Sequence, residues 1–297
     1  MHSPSIPAEV KQMTWRFIDT DKIDGYYSAA LFESTARHVS AGEVDETIFF
    51  WRVKSPVVYI GYHQYVEDEI REDYCTENGI QIIRRVLGGG CGFCDENQIL
   101  FSIIGREGSG AIPSRIEDAY SLVLRGVTTA LESLGFDSEL EPTRNAINAR
   151  GRKISGNAQG RINGAVLVNG SLLLDFDFDE MDRVLKNPTK NLTSGVQHAR
   201  DGMITLKDLL NGENYYIDHV KKILKSGFEI VLGVETKNGV LTKSEIELSN
   251  SLVERHRRNE WIYRMDNKRR KRLESKNKLI DNALPHKKPH HHKQGKT

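Results

Sequence analysis

The sequence predicts an α+β protein, in which a mixed, largely antiparallel sheet is flanked by helices and followed by a small helical C-terminal segment. Three observations lead to this fold class. Strand-like segments 47–53 and 57–62 are separated only by the turn Lys54-Ser55-Pro56. A glycine-rich loop also joins two strands, so strands follow one another without intervening helices. After Asp179 the pattern becomes helical.

The first two thirds of the chain supply the predicted strands. Each is a short run rich in β-branched and aromatic residues: MTWRFIDT, TIFFWRV, VVYIGY, IQIIRR, ILFSII and AVLVNGSLLLDFD, with a short strand near Leu140 and a hairpin turning at Gly151-Arg152. Helices are predicted from Gly25 to about Ala41, along VEDEIREDYCTENG until Gly79, and from about Ile116 to Leu134.

The last third of the chain is predicted to be mostly helical, with helices at 180–185, 206–210, 215–232 and 243–257. Residues 187–201 are rich in polar and turn residues and predict a long surface loop, which is the usual setting of a functional lid. We therefore divide the chain into a main region at 1–202, a helical C-terminal part of the same domain at 203–263, and a tail at 264–297.

The net charge of +1 conceals an asymmetry. Residues 264–297 contain 12 Lys/Arg and 3 Asp/Glu, so the tail carries +9 and the remaining 263 residues carry −8. Such a basic, polar segment is predicted to be disordered or only partly helical. A solubilising tail is favoured over contact with nucleic acid or an acidic protein.

Composition also limits the compartment. No apolar run approaches the roughly 18 residues of a membrane helix. The N-terminus MHSPSIPAEVKQ lacks the apolar region of a secretory signal, and three cysteines do not make a disulfide framework. We therefore expect a cytoplasmic protein.

The stretch RRVLGGGCGFCDENQ, from Arg84 to Gln98, is the first candidate functional motif. Its glycines lie between two strands, whereas a dinucleotide-binding loop opens a helix, and a phosphate-binding P-loop would need Gly-Lys-Ser/Thr. A structural zinc site would need four ligands. The remaining alternatives are a cradle, in which bare backbone and nearby arginines hold a ligand, and a plain glycine-rich bulge. Two small residues lining a pocket is the favoured interpretation of Cys91 and Cys94.

The segment GRKISGNAQGR, residues 151–161, is the second motif. Lys153 lies among glycines and small polar side chains, a setting that suits a lysine stabilising negative charge on a phosphate or an acyl carbonyl. The bland alternative is a solvated surface lysine.

These two segments together with NGSLLLDFD resemble, in order and spacing, three blocks of the lipoate–protein ligase A family, which shares a superfamily with biotin ligases and octanoyltransferases. The similarity extends from about Trp15 to Tyr263. It includes the early Gly61-x-x-Gln64 element and the C-terminal EIELSNSLVERHRRNEWIY segment.

The resemblance implies that residues 1–202 form an acyl-adenylate-forming catalytic domain. ATP would activate lipoate or octanoate to acyl-AMP, with Mg²⁺ bridging phosphate oxygens, and the acyl group would pass to a lysine of a lipoyl-carrier domain of the 2-oxoacid dehydrogenase E2 or glycine cleavage H protein type. It implies a catalytic role for Lys153. The implied lipoate- or acyl-binding residues are Arg84, Gly88, Gly89, Gly90, Cys94, Asn169 and Gly170. The implied nucleotide-binding residues are Asp95, Lys153, Gly156, Asn157 and Ala158.

The sequence departs from the family pattern at several of these positions. Cys94 and Asn169 stand where the family usually has histidine, and Asn145-Ala146 stands for an Asn-Asp pair. Two alternatives to an ATP-dependent ligase therefore stay open. One is a cysteine-dependent octanoyl or lipoyl transferase that needs no ATP, although segment 139–151, where such transferases commonly place their cysteine, has none. The other is a non-catalytic binder of a lipoyl-carrier protein.

A partner chain is a further expectation. Many family members have an accessory domain or recruit it as a second chain, and the 34 residues after Tyr263 are too polar to fold as one. We expect that a partner supplies it or that this enzyme works without it.

Overall fold

A computed structural model describes residues 13–192 and 194–283. It contains eleven strands and eleven helices within those ranges. The strands are β1 (Met13–Ile23), β2 (Thr47–Val53), β3 (Val57–Ile60), β4 (Gln81–Arg84), β5 (Gly92–Cys94), β6 (Gln98–Arg106), β7 (Ser138–Glu141), β8 (Ala146–Ala149), β9 (Arg152–Ile162), β10 (Ala165–Leu173) and β11 (Val234–Asn238). The helices are α1 (Gly25–Ala41), α2 (Val66–Glu69), α3 (Glu72–Glu77), α4 (Ile116–Ser133), α5 (Phe178–Val184), α6 (Ala199–Gly202), α7 (Leu206–Leu209), α8 (Ile217–Leu232), α9 (Lys243–Arg257), α10 (Asn259–Ile262) and α11 (Arg264–Ala283).

The strands form two sheets. The large sheet has the order β11-β1-β2-β6-β10-β9-β8-β7, and the small sheet has the order β4-β3-β5. In the large sheet β1 pairs in parallel with both of its neighbours, while the pairings from β2 to β7 are antiparallel. The predicted α+β class with a mixed, largely antiparallel sheet is therefore confirmed.

Apolar side chains on both faces of the large sheet explain its layers. One face packs on α4 and α8, in a cluster that includes Phe50, Phe101 and Phe228. The other face forms a cluster with α1 that includes Phe32 and Phe49. Helix α1 contacts both sheets, so the small sheet is held against the second face of the large one.

Helix boundaries follow local chemistry where the sequence supplies it. The side chain of Asp24 accepts a hydrogen bond from the Tyr27 amide at the start of α1, and Gly42 ends the helix with a φ of 72°. None of the described helices is long and apolar enough to cross a membrane.

Two predictions of local structure are wrong. The helix predicted up to Gly79 is broken into α2 and α3, because Ile70 forms a bridge with Leu185 and the Arg71 amide donates to the Val184 carbonyl. Strand β11 lies between the helices predicted at 215–232 and 243–257, where no strand was predicted, and it joins the edge of the large sheet beside β1. Its sequence VETKN is short and mostly polar, as suits an edge strand, so no apolar alternation marked it.

The tail begins as a helix. Helix α11 covers the first twenty residues of the segment for which composition allows a disordered or partly helical chain. Its first two turns are docked, since Asp266 is fully buried and Arg269 is paired with Asp68 and Glu67. Residues 284–297 lie outside the described residues.

Candidate active site

A cavity of about 220 Å³ lies between the two sheets and beneath the segment that follows α5. Its apolar wall comes from Phe32 of α1, Trp51 of β2 and Tyr59 of β3, with further side chains of the small sheet. Its polar wall comes from Lys153 of β9 and Asn145 before β8. The shape therefore suits a ligand with an apolar chain and a polar reacting end.

Lys153 is held in the polar wall by its strand. A register shift between β8 and β9 sets Asn148 opposite Lys153 and Ile147 opposite Ser155, which leaves Ile154 as an extra residue. The Lys153 carbonyl accepts a hydrogen bond from the Ile204 amide at 2.9 Å. Burial lowers the pKa of the ammonium to about 8. The lysine thus stays mostly protonated near neutral pH but is close to its titration point.

Gly156 makes room for this side chain. A Cβ added at Gly156 would lie 3.1 Å from Cε and 3.3 Å from Nζ of Lys153. The Lys153 side chain therefore lies over the bare backbone of Gly156. Ala158, two residues further along β9, also lines the cavity.

The glycine-rich loop is organised around Arg85. The Arg85 guanidinium donates to the Gly88 carbonyl at 2.9 Å and to the Gly90 carbonyl at 2.6 Å. Gly89 has a φ of 88°, which favours glycine, and its carbonyl lies 2.1 Å from where a Cβ of Gly61 would be. The backbone of the loop thus packs directly on the backbone at Gly61, and its carbonyl groups surround the buried Arg85 guanidinium.

Arg84, for which the resemblance implies a role in acyl binding, does not line the cavity. Its side chain is fully buried and donates to main-chain carbonyls away from the cavity, whereas Arg85 lines the cavity. Successive residues of β4 point to opposite faces, so Ile82 and Ile83 lie in two different apolar clusters. Arg84 has the same parity along β4 as Ile82, and of the two arginines only Arg85 lines the cavity.

Three further predicted residues do not reach the cavity wall. Gly88 and Gly89 belong to the loop, but only Gly90 among the three glycines lines the cavity. Asp95, predicted to bind nucleotide, is turned to the main chain instead. Its carboxylate accepts hydrogen bonds from the amides of Asn97 and Asp177, each at 2.9 Å, and so joins β5 to the turn before α5.

The other predicted site residues do meet at the cavity. They are Gly90, Cys94, Lys153, Gly156, Asn157, Ala158, Asn169 and Gly170. The register of β9 and β10 brings the last four together, with Asn169 opposite Ala158 and Gly170 opposite Asn157. A Cβ at Gly170 would lie 2.1 Å from the Asn157 side-chain oxygen. Three motifs far apart in the chain therefore line one cavity.

The two thiols of the CxxC segment both line the cavity, yet neither is poised to react. Burial raises the pKa of Cys91 to about 12 and raises that of Cys94 as well. All three cysteines are free. Among the described residues no histidine lines the cavity, so no imidazole is available there to deprotonate a thiol.

The long loop predicted after α5 covers the glycine-rich loop. The side-chain nitrogen of Asn191 lies 2.6 Å from where a Cβ of Gly90 would be. The Lys190 ammonium pairs with Glu69 of α2 at 2.6 Å. The length of this loop predicted a functional lid, but only the fold identifies Lys190 and Asn191 as residues that line the cavity. Trp51 and Tyr59 also line the cavity, and the sequence marked them only as strand residues.

The described ranges contain no group of three or more His, Cys, Asp and Glu side chains arranged to hold a metal ion. The expected magnesium would depend mainly on phosphate oxygens of a ligand and makes little demand on such a group.

Comparison with known proteins finds related sequences and related structures. The family described as the lipoyl protein ligase A/B catalytic domain matches residues 24–229. The octanoyltransferase LipM of Staphylococcus aureus is 29% identical over 274 residues, which cover 84% of this chain and 99% of that protein. A lipoate-protein ligase A solved with bound ATP is 26% identical with a TM-score of 0.74, covering 85% of this chain and 100% of that one. The archaeal bi-partite lipoate protein ligase from Thermoplasma acidophilum, studied with its E2 lipoyl domain, is 25% identical with a TM-score of 0.74, over 85% of this chain and 97% of that one.

Proposed function

The chain belongs to the lipoyl protein ligase A/B catalytic-domain family, and from that premise we propose that it transfers an octanoyl-class acyl group to a lysine of a lipoyl-carrier domain without consuming ATP. The observation that carries the proposal is the match to an octanoyltransferase over 84% of this chain and 99% of that protein. The cavity supports it, because an apolar wall faces a polar wall that holds Lys153.

This corrects the main function predicted from the sequence. An ATP-dependent lipoate–protein ligase was expected, and that prediction is wrong, because the full-length curated relatives carry the name octanoyltransferase. ATP is bound in the solved structure of one relative, a lipoate-protein ligase A, and that observation concerns the relative alone. The alternative of acyl transfer without ATP fits the findings better.

Transfer without ATP requires an acyl donor that is already activated, and a thioester is the natural class. The neutral amine of the carrier lysine adds to the thioester carbonyl carbon, and negative charge develops on the carbonyl oxygen. The Lys153 ammonium stabilises this oxyanion. The carbon–sulfur bond then breaks, and the leaving thiolate takes a proton from Lys153, whose pKa of about 8 suits a general acid near neutral pH. The proton lost by the attacking amine restores Lys153.

The acyl group passes directly from donor to carrier in this proposal. A covalent route through Cys91 or Cys94 would need a thiolate, but burial raises the pKa of both thiols. Segment 139–151, where related transferases place a cysteine, contains none. Both substrates are then bound together when the amide forms.

The test combines octanoyl-coenzyme A, a purified lipoyl domain and no ATP, with acylation followed by the mass of the lipoyl domain. We expect transfer by the wild type and by Cys91→Ser/Cys94→Ser within about threefold, since a group that merely lines a wall contributes little to the barrier. Loss of transfer in that double variant, together with an octanoyl thioester trapped on the wild type, would assign the acyl group to a cysteine.

Free octanoate with ATP is the companion experiment. Pyrophosphate release in this reaction, without transfer from the thioester, would overturn the proposal. The second candidate function, a non-catalytic binder of a lipoyl-carrier protein, is favoured only by the missing cysteine. Tight binding of the lipoyl domain with no transfer from either donor would establish it.

A further inference from the structure

We propose that Asp266 of α11 is a positioning residue for the glycine-rich loop, and that it acts through Arg84. This inference rests on the proposed function, because it takes the loop to be part of the acyl-binding cavity. It assigns a functional task to the first turns of a segment whose composition predicted only a basic tail.

Arg84 is the junction between the C-terminal segment and the loop. Its guanidinium donates to the Gly61 carbonyl at 2.9 Å, the Gln64 carbonyl at 2.8 Å and the Ile262 carbonyl at 2.7 Å. Its own carbonyl accepts a hydrogen bond from the Trp261 indole at 2.8 Å. Both ends of this residue are therefore fixed by contacts with α10 and with the turn after β3.

Asp266 supplies the balancing charge. Its carboxylate lies 3.6 Å from Nη2 of Arg84, and neither side chain is exposed to solvent. Nη2 makes no hydrogen bond within the described part of the chain, so Asp266 is the group that compensates this edge of the guanidinium. A buried charge that loses its partner is strongly destabilised and tends to seek water. Asp266 thus determines whether Arg84 stays in its buried position.

The same carboxylate also holds a second edge of the site. It accepts hydrogen bonds from the amides of Val66 and Glu67 at the start of α2, at 3.2 and 3.1 Å. Helix α2 ends at Glu69, which lines the cavity and pairs with Lys190 of the covering loop. One aspartate on α11 therefore contacts two elements that reach the cavity.

The coupling from Arg84 to the loop passes through Gly61. Arg84 holds the Gly61 carbonyl, while the Gly61 Cα packs so closely on the Gly89 carbonyl that there is no space for a Cβ. The Tyr62 amide donates to the Leu87 carbonyl at 2.8 Å and ties the same turn to the start of the loop. A movement of Arg84 is therefore transmitted to the backbone that ends at Gly90 and Cys91.

The test is Asp266→Asn, which keeps the shape of the side chain and removes its charge. Cys91 reports on the loop without any catalysis, since it lies directly after the glycines and lines the cavity. We expect faster alkylation of Cys91 by N-ethylmaleimide, located by peptide mass, and a fall of about tenfold or more in kcat/KM for acyl transfer, mainly through kcat.

Two matched variants separate positioning from stability. Arg269→Gln removes the ion pairs of α11 with Glu67 and Asp68 of α2 but leaves the contact between Asp266 and Arg84 in place, so it tests whether loosening α11 alone exposes Cys91. Val253→Ala opens a small cavity between α1 and α9 and lowers the melting temperature without reaching the loop. We expect Cys91 alkylation at the wild-type rate in both.

The outcomes are separable. The inference fails, and Asp266 has only a structural role, in either of two cases. In the first, Cys91 of Asp266→Asn is alkylated at the wild-type rate. In the second, Val253→Ala loses as much melting temperature as Asp266→Asn and its Cys91 is alkylated as fast as that of Asp266→Asn. If Cys91 becomes reactive in Asp266→Asn while the wild type transfers no acyl group, the positioning stands and the proposed function falls.

Discussion

Replacement of Lys153 by methionine should make the protein more stable and nearly inactive. Methionine has similar length and apolar character, so it fills the space over Gly156 without the ammonium. The wild type maintains a charge in a place where burial disfavours it. When a side chain stabilises the transition state but destabilises the folded protein, its removal should raise the stability and lower the activity.

The magnitude follows from the pKa. Burial lowers the pKa of Lys153 from 10.5 to about 8, and each pKa unit is worth about 1.4 kcal/mol between the two protonation states. Below pH 8 the lysine is charged in both the folded and the unfolded chain, so the folded state bears the whole penalty, roughly 3 kcal/mol. Between about pH 8 and 10.5 the unfolded state binds more protons, and the stability of the wild type rises.

For catalysis, loss of a preorganised donor to an oxyanion costs about 10²–10³-fold in kcat. Urea unfolding near pH 7 and near pH 9.5, together with acyl transfer to a lipoyl domain, measures both effects. We expect Lys153→Met to be more stable near pH 7, to lack the alkaline rise in stability, and to lose kcat with little change in KM. Lys243→Met, on an exposed lysine of α9, is the matched control. Transfer within about fivefold of the wild type would refute the role assigned to Lys153.

Three further predictions test the packing and electrostatics around the site. Gly61→Ala places a Cβ 2.1 Å from the Gly89 carbonyl, so we expect a loss of about 1–3 kcal/mol in the free energy of unfolding and a larger loss of transfer; unchanged transfer would contradict the close contact. Burial raises the pKa of Glu33, but hydrogen bonds from His256 and Arg255 outweigh it and hold the value at about 2. This stability is present above pH 4.5 and is lost as pH falls towards 2, so Glu33→Gln should lose roughly 3 kcal/mol near pH 7 and flatten the acid limb of urea unfolding. Gly227→Ala places a Cβ 2.2 Å from the Gly126 carbonyl where α4 and α8 cross, so we expect a lower melting temperature by calorimetry. A melting temperature within a degree of the wild type would show that the two helices can move apart without cost.

Local chemistry explains which predictions were correct. The strands around the glycine-rich loop follow from short runs of β-branched and aromatic residues, and the absence of a helix after Gly90 excludes a dinucleotide loop. The cluster of small residues around Lys153 anticipated a lysine lying over bare backbone, as Gly156 allows. Such features depend on neighbours within a few residues, and the sequence displays them directly.

Other features depend on which segments meet, and the errors concentrate there. The chain continues with helical periodicity through Ile70, yet a bridge to Leu185 ends α2. Strand β11 has too few apolar residues to be recognised and exists because β1 offers it an edge. The pKa values of Cys91 and Cys94 are raised by burial, which no cysteine spacing predicts.

The sequence by itself determined the α+β class, the family and the three motifs that line the cavity, because these depend on residue type, order and local period. Only the tertiary structure decided between Arg84 and Arg85, since alternation along β4 separates them but does not say which face meets the cavity. It also decided the place of Asp266, which lies 3.6 Å from Arg84 although 182 residues separate them in the chain. Contacts over such distances come from the packing of whole layers, and that packing is a property of all their side chains together.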